Sequence, residues 1–347
     1  MISLASLTSV VAPIPRRRQC SGCRWFPSFL RISLPCVANE DSRLRCISRF
    51  YAQSCNSSCP KEKVYAVQGT DLSLDEEEND DHDEEFQVVT AIRSNYNDIV
   101  IVDTPRSRML LLDSSHNVHS MYNKEHKWTG FYWDEFASLP AILPQGPVAI
   151  FGLGGGTVAH LMLDIWPSLE LEGWEIDKIL IDMAREYFGL LDIEKHTPAG
   201  GILRVCVGDA LSPSVTVPGG YAGIVIDLFS DGKVLPQLEE VSTWLDMYDK
   251  LMPNGRLMVN CGAANDGAAN TTYPDASSID GTWVQNSTIK ALCQAFPGQV
   301  NWKKMPKEGG ENYLALTGPL PDLTTWSGVL PDRLSLTVKQ WKPCLPL

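Results

Sequence analysis

The sequence predicts an α/β protein, a doubly wound and mostly parallel sheet preceded by a small antiparallel β-hairpin domain. Three observations predict it. From Val148 onward, apolar runs of strand length alternate with helical patterns, the mark of repeated βαβ units. The first of these runs opens into Gly152-Leu153-Gly154-Gly155-Gly156-Thr157, and Glu175 follows the last glycine by 19 positions at the end of the next strand. Ahead of that unit, short alternating segments are separated by turn residues, the pattern of hairpins.

Size and composition set the outer bounds. A chain of 347 residues can bury a substantial core in one large or two ordinary domains, and 44% hydrophobic with 20% charged residues is ordinary for a globular protein. No apolar run approaches the roughly 20 residues of a membrane helix. The formal charge of −13 argues against a nucleic-acid surface, which needs clustered Lys and Arg, and is compatible with a cationic substrate.

Residues 1–60 differ from the rest. Arginines from Arg16 to Arg49 outnumber acids there, serine is abundant, and the first fifty residues hold no lysine, so the segment reads as an organelle transit peptide with the chloroplast as target. It also carries Cys20, Cys23, Cys36, Cys46, Cys55 and Cys59, of which Cys20-x-x-Cys23 with Cys55-x-x-x-Cys59 admits a zinc reading that no strand or helix frames. Residues 61–85 read as an acidic, disordered linker, without the Gly-punctuated loop a calcium site requires. Cys206, Cys261, Cys293 and Cys344 read as buried reduced thiols, and the Asn-x-Ser/Thr triplets at Asn56, Asn270 and Asn286 as chance.

The folded body divides into a β-strand domain plus helix over 86–143, a nucleoside-binding sheet domain over 144–320 and a C-terminal tail over 321–347. Strands are expected at Gln87 to Ser94, Ile99 to Asp103 and Met109 to Asp113, separated by Asn95-Tyr96-Asn97-Asp98 and Thr104-Pro105-Arg106-Ser107. Trp128 to Leu143 reads as a helix that Pro144 and Gly146 halt. Val148 to Phe151 is a buried strand, Val158 to Ile165 a helix, Leu169 to Trp174 a strand and Lys178 to Leu191 a helix with Ile181, Ala184 and Phe188 inward. Strands follow at Leu203 to Val207 and Tyr221 to Ile226, then a long helix from Val234 to Met252, closed by Pro253-Asn254-Gly255. Arg256 to Asn260 is a strand, Gln285 to Ala295 a helix, and Val300 to Met305 with Asn312 to Thr317 a closing hairpin.

In such sheets ligands bind beyond the carboxyl ends of the strands, and Gly152, Glu175, Asp209 and Asp227 all fall on that edge. Gly152, Gly154 and Gly156 let the backbone turn sharply and approach a nucleoside closely. Glu175 can accept two hydrogen bonds from ribose hydroxyls; the alternative is a strand-end acid that only caps a helix, the role read for Asp177. Asp209 can accept from an adenine amino group while Ala210 leaves room for the ring, against the same capping alternative. Asp227 emerges from an apolar strand with Leu228-Phe229 shielding it and Asp231 nearby, placed to orient an amine nucleophile and take its proton; a loop-capping acid is the alternative. His116, His119, His126 and His160 show no metal spacing and read as surface or packing histidines, and no metal is expected.

From about Phe86 to Thr317 this order of features resembles the spermidine synthase family of aminopropyltransferases. The resemblance implies an N-terminal hairpin domain and a Rossmann-like sheet of the class I methyltransferase kind. Phe86-Gln87 with Ser94 and Tyr96 is similar to the family's opening Tyr-Gln strand, implying a nucleoside contact for Gln87. Leu112-Asp113 resembles its Leu-Asp-Gly, and His119 falls near its second Gln. Tyr132 with Ala137-Ser138-Leu139-Pro140 resembles the helix beside the amine, Glu175-Ile176-Asp177 is identical to the ribose-binding tripeptide, and Gly208-Asp209-Ala210 resembles the adenine contact. Asp227 takes the position of the catalytic Asp, with Tyr132 and Asp231 on the amine side.

The resemblance implies S-adenosylmethionine or its decarboxylated form as donor, a small amine as acceptor, and a homodimer. Three departures bear on it. Gly155 stands where the family has the Asp that holds the donor's amino group; Trp133-Asp134 replaces a His/Gln-Glu pair; and the Asp227-Leu228-Phe229-Ser230-Asp231 loop is one residue longer and lacks its Pro. A missing carboxylate opposite an ammonium forfeits about 1.5–3 kcal/mol, roughly ten- to a hundredfold in affinity. Three functions therefore stand open: aminopropyl or related alkyl transfer with Asp227 as base, methyl transfer from S-adenosylmethionine, and a non-catalytic nucleoside-binding homologue.

Overall fold

The computed structural model describes residues 86–113, 117–263, 279–306 and 312–344. The leader, its cysteines and the acidic run lie outside the described residues.

Four short strands open the fold: β1 (Gln87–Arg93), β2 (Asp98–Asp103), β3 (Ser107–Leu111) and β4 (Ser120–Asn123), paired antiparallel in that order. The first three match the expected hairpins; the fourth was hidden in a segment too polar to show alternation. Their buried face, Ile99, Ile101 and Leu110, packs on Leu180 and Phe188 of the larger domain. Polar ties reinforce that seam, since Asp177 accepts hydrogen bonds from Ser94 Oγ and from Asn97 Nδ2 (2.8 Å), and Arg108 donates to the Tyr187 carbonyl (2.7 Å).

The main sheet has eight strands: β5 (Val148–Phe151), β6 (Glu170–Glu175), β7 (Ile202–Val207), β8 (Tyr221–Ile226), β11 (Leu251–Asn260), β12 (Val300–Lys304), β13 (Tyr313–Thr317) and β14 (Lys342–Pro343). They lie in the order β14-β12-β13-β11-β8-β5-β6-β7. The pairs from β11 through β7 are parallel, and the β13, β12 and β14 end is antiparallel. This is the doubly wound class the alternation predicts. Strand order reverses at β5, between β6 on one side and β8 on the other, so the ligand crevice of such a sheet belongs beyond Phe151 and Ile226.

Alternation along β5 divides the core. Val148 and Ile150 face a layer built from α1 (Trp133–Phe136), α2 (Thr157–Ile165) and α3 (Lys178–Tyr187), while Ala149 and Phe151 face α5 (Val241–Tyr248) and α6 (Ser287–Ala295). Asp177 caps α3 by accepting from the N–H groups of Ile179 and Leu180, the role expected of it. Asn286 caps α6 and is 2% exposed, so the glycosylation triplet there is structural.

Four expectations are corrected. Trp128 to Leu143 is not one helix: Gly130 takes a positive φ, α1 spans four residues, and Leu139–Ile142 is a 3₁₀ turn around Pro140. The helix from Lys178 breaks after Tyr187, where Gly189 (φ 69°) starts α4 (Leu190–Ile193). Val234 to Met252 begins instead as a tight hairpin, β9 (Phe229–Ser230) with β10 (Lys233–Val234), then a 3₁₀ turn at Pro236–Glu239, and only then α5. The expected C-terminal tail is, over 321–344, part of the core: α7 (Leu323–Gly328) contributes Trp326, α8 (Asp332–Thr337) contributes Leu334, and the 3₁₀ turn at Val338–Gln340 that follows brings in Val338 and Trp341.

Candidate active site

The carboxyl ends of β5, β6, β8 and β11 open onto one cavity of about 1480 Å³. Gly152, Gly154, Glu175, Asp209, Ala210, Asp227, Asp231 and Tyr132 all line it. Gly156 and Gln87 are not among its lining residues. Gly156 starts α2 and packs against Leu190, and Gln87 is exposed at the start of β1 opposite Asp103. Tyr96, which the opening-strand resemblance included, and Asn97, read as a turn residue, stand at the cavity instead. A tyrosine-polar pair immediately before a strand was the available signal.

Asp227 leaves β8 at the strand-order reversal, and its N–H donates to the Phe151 carbonyl (2.9 Å). Its backbone runs so close to the glycine turn that a Cβ on Gly152 would strike the Asp227 carbonyl, and Gly152 also holds φ 86°, so only glycine fits there. The Asp227 carboxylate accepts from the Tyr132 hydroxyl (3.0 Å) and from Asn260 Nδ2 (2.9 Å). Burial pushes its pKa above the ordinary carboxylate range, opposed by those two donors and by nearby His119. Tyr132 is held protonated, chiefly by burial and then by the Asp227 charge. The arrangement is a carboxylate with strengthened basicity, locked in orientation by two neutral donors.

Asn260 was missed in the sequence. It closes β11 on the same edge as Asp227 closes β8, so a survey of every polar residue at a strand's carboxyl end would have found it.

Glu175 binds the glycine turn directly, accepting from Gly154 N (3.1 Å) and Asp177 N (3.2 Å). Burial raises its pKa, and these N–H groups oppose the shift. Each oxygen keeps acceptor capacity for a sugar hydroxyl, which fits a nucleoside donor at the turn. Asp209 Oδ1 accepts from Leu211 N (2.8 Å), which closes a turn in a stretch that holds no helix, so the helix-cap alternative is not realised; the residue stands at the cavity beside buried Ala210.

Gly155 is explained by its neighbour. Its N–H donates to Ser120 Oγ (2.8 Å), and a Cβ there would lie 2.8 Å from Ser120 Cβ. Any larger side chain at 155 requires β4 to move. On the other wall, Asp134 is consumed by the fold: it accepts from Thr129 N (2.9 Å), Thr129 Oγ1 (2.7 Å) and Gly130 N (2.9 Å). Glu135 forms a buried ion pair with Lys303 (2.7 Å). The carboxylates lining the cavity are Glu175, Asp209, Asp227, Asp231 and Glu239, against Lys233 alone among the described residues. That balance favours a cationic ligand.

Among the described residues no group of three or more His, Cys, Asp or Glu side chains has metal-holding geometry, and no helix is long and apolar enough to cross a membrane. Cys206, Cys261, Cys293 and Cys344 are free thiols, Cys261 and Cys344 buried.

No family model matches the chain. It is 24% identical over 219 residues to a Bifidobacterium longum protein described as a "Probable polyamine aminopropyl transferase", covering 63% of this chain and 47% of that one. It is 28% identical over 123 residues to the zebrafish (Danio rerio) "eEF1A lysine and N-terminal methyltransferase", covering 33% of this chain and 17% of the other. The chain thus spans about half, or less, of the length of these relatives. A crystal structure of a probable spermidine synthase from Corynebacterium glutamicum superposes with a TM-score of 0.47 at 16% identity, covering 67% of this chain and 80% of that one. The resemblance to spermidine synthases read from the motifs recurs in the sequence relative.

Proposed function

We propose that the protein transfers an alkyl group from an adenosyl sulfonium to an amine, with Asp227 as base. The observation that carries the reading is Asp227 itself: a carboxylate of raised pKa, facing the crevice where the strand order reverses, oriented by Tyr132 and Asn260. Glu175 and the glycine turn hold the nucleoside, and the acid-rich walls favour a cationic donor and acceptor. The amine lone pair attacks the carbon bound to sulfur, the C–N bond forms as the C–S bond breaks, its electrons pass to sulfur, and Asp227 accepts the proton the nitrogen sheds. One relative is described as a polyamine aminopropyl transferase and the other as a lysine and N-terminal methyltransferase, so both named acceptors offer a nitrogen.

Two readings of the transferred group remain, each with its own support. Aminopropyl transfer rests on the Bifidobacterium relative and on the hairpin domain ahead of the sheet. Methyl transfer rests on Ser120, which fills the space an acidic side chain at 155 would need to hold the donor's amino group. Calorimetric titration with S-adenosylmethionine and with its decarboxylated form separates them, and a preference of tenfold or more, about 1.4 kcal/mol, for the carboxylated donor ends the aminopropyl reading. Absence of binding to either donor ends the proposal. Binding without turnover of any amine leaves the non-catalytic reading in place. A fluorescent fusion of residues 1–60 that enters chloroplasts supports the leader; one that stays in the cytosol removes it.

A further inference from the structure

His119, expected as a surface or packing histidine and lying near the position of the family's second Gln, stands on the cavity wall. His119 immediately precedes β4; its N–H donates to the Leu110 carbonyl (2.8 Å), and its own carbonyl accepts from Ser120 Oγ (2.7 Å), the hydroxyl that also accepts from Gly155 N. The backbone of His119 is therefore pinned between the hairpin sheet and the glycine turn. Its side chain lines the same cavity as Asp227. Nε2 is buried 3.2 Å from Asp113 Oδ2, within ion-pair distance though off the line of a hydrogen bond. Asp113 is itself largely buried, its side chain 8% exposed.

The proposed reaction makes two protons available, while Asp227 accounts for one. An amine at neutral pH arrives as an ammonium with no lone pair, and must release one proton before it can attack. Once the C–N bond has formed, the nitrogen again carries a positive charge and can release a second. Asp227 suits the second, made during or after attack; the first needs another acceptor on the cavity wall. A neutral imidazole with one nitrogen beside a carboxylate offers its other nitrogen as that acceptor.

We propose, resting on the adenosyl-sulfonium reading above, that His119 is a second catalytic acid/base of this site and that Asp113 is its positioning residue. His119 takes a proton from the incoming ammonium: the N–H bond breaks, its electrons remain on the amine nitrogen as the attacking lone pair, and the imidazole becomes an imidazolium whose charge Asp113 balances. Asp227 then takes the proton released after C–N bond formation. The charged groups near His119 are Asp113, from the connection after β3, and Asp227, from the end of β8; Tyr132, from the segment before α1, and Glu175, at the end of β6, line the same cavity.

The test uses the full chain with 13C-labelled histidine rings, titrated by NMR over about pH 5–9, in wild type, His119→Gln and Asp113→Asn. The His119 signal is the one absent from His119→Gln. Its signal is expected to titrate at a lower pH in Asp113→Asn than in wild type, the effect of losing an adjacent anion. S-adenosylmethionine, whose sulfonium is cationic, is expected to lower it as well, whereas neutral S-adenosylhomocysteine is not. A midpoint indifferent to Asp113→Asn, or to the cationic ligand while other signals report binding, overturns the role of His119 and leaves the donor reading intact. If neither ligand moves any signal, the donor reading falls and this proposal with it. Where wild type turns over an amine, His119→Gln is expected to lose about 10²–10⁴-fold in kcat and the pH-rate limb that Asp113→Asn displaces, with donor affinity kept.

Discussion

The two walls of the cavity use their acids in opposite ways. On the glycine-turn wall, Glu175 and Asp227 are oriented by neutral donors and line the cavity, so their charge is offered to a ligand. On the α1 wall, Asp134 and Glu135 are buried and spent internally, Asp134 on the Thr129-Gly130 loop and Glu135 on Lys303. Tyr132 is the link, since it belongs to the α1 segment and donates to Asp227. A carboxylate at a plausible sequence position thus says little about function until its partners are known, because the same group serves as scaffold or as reagent according to which donors reach it first.

The largest effect expected is on the reagent side. Asp227→Asn should reduce kcat about 10²–10⁴-fold, roughly 3–5 kcal/mol of barrier, with donor affinity within a few-fold of wild type; an unchanged rate removes Asp227 as base. Its pH profile carries the same information. Since burial raises the Asp227 pKa, the active ionised form is lost as pH falls through a value above the ordinary carboxylate range, so the acidic limb should lie above that range and vanish in the variant.

On the scaffold side, Glu135→Gln leaves the buried Lys303 ammonium with the Thr337 carbonyl but without its counter-charge. Urea unfolding should report a loss of about 3–5 kcal/mol, while Glu135→Leu with Lys303→Met together should recover most of it. If the double variant keeps its stability but loses turnover, the α1 wall is more than scaffold and the contrast breaks.

Glu175→Gln should weaken the donor about ten- to a hundredfold, 1.5–3 kcal/mol, as read by calorimetry, because a charge-assisted acceptor becomes a neutral one. Asp134→Asn should act least, costing about 1–2 kcal/mol of stability through its lost loop contacts and leaving the KM for the amine unchanged. A tenfold rise in that KM would return Asp134 to the ligand side.

Legibility in the sequence followed the range of the interaction involved. Val148–Phe151 and Tyr221–Ile226 were readable to the residue, because a buried parallel strand is a local run of apolar side chains bounded by turn residues. Glu175 and Asp227 were readable because strand ends in a doubly wound sheet share one edge. Helices were overextended at Trp128 and Val234, where apolar periodicity continued through Gly130 and Pro236 although the backbone did not. Gln87 was selected over Tyr96-Asn97 because both pairs flank a strand, and which one reaches the cavity depends on how the hairpin sheet docks on α3.

The sequence by itself determined the fold class, the glycine turn and the acids on its edge, all consequences of periodicity and of backbone rules that act within about thirty residues. Only the tertiary structure decided which partners those acids meet. Ser120 against Gly155, Asn260 against Asp227 and Lys303 against Glu135 join separate elements across more than thirty residues. Burial in a low-dielectric interior makes the identity of each such partner decisive, and no local pattern encodes it.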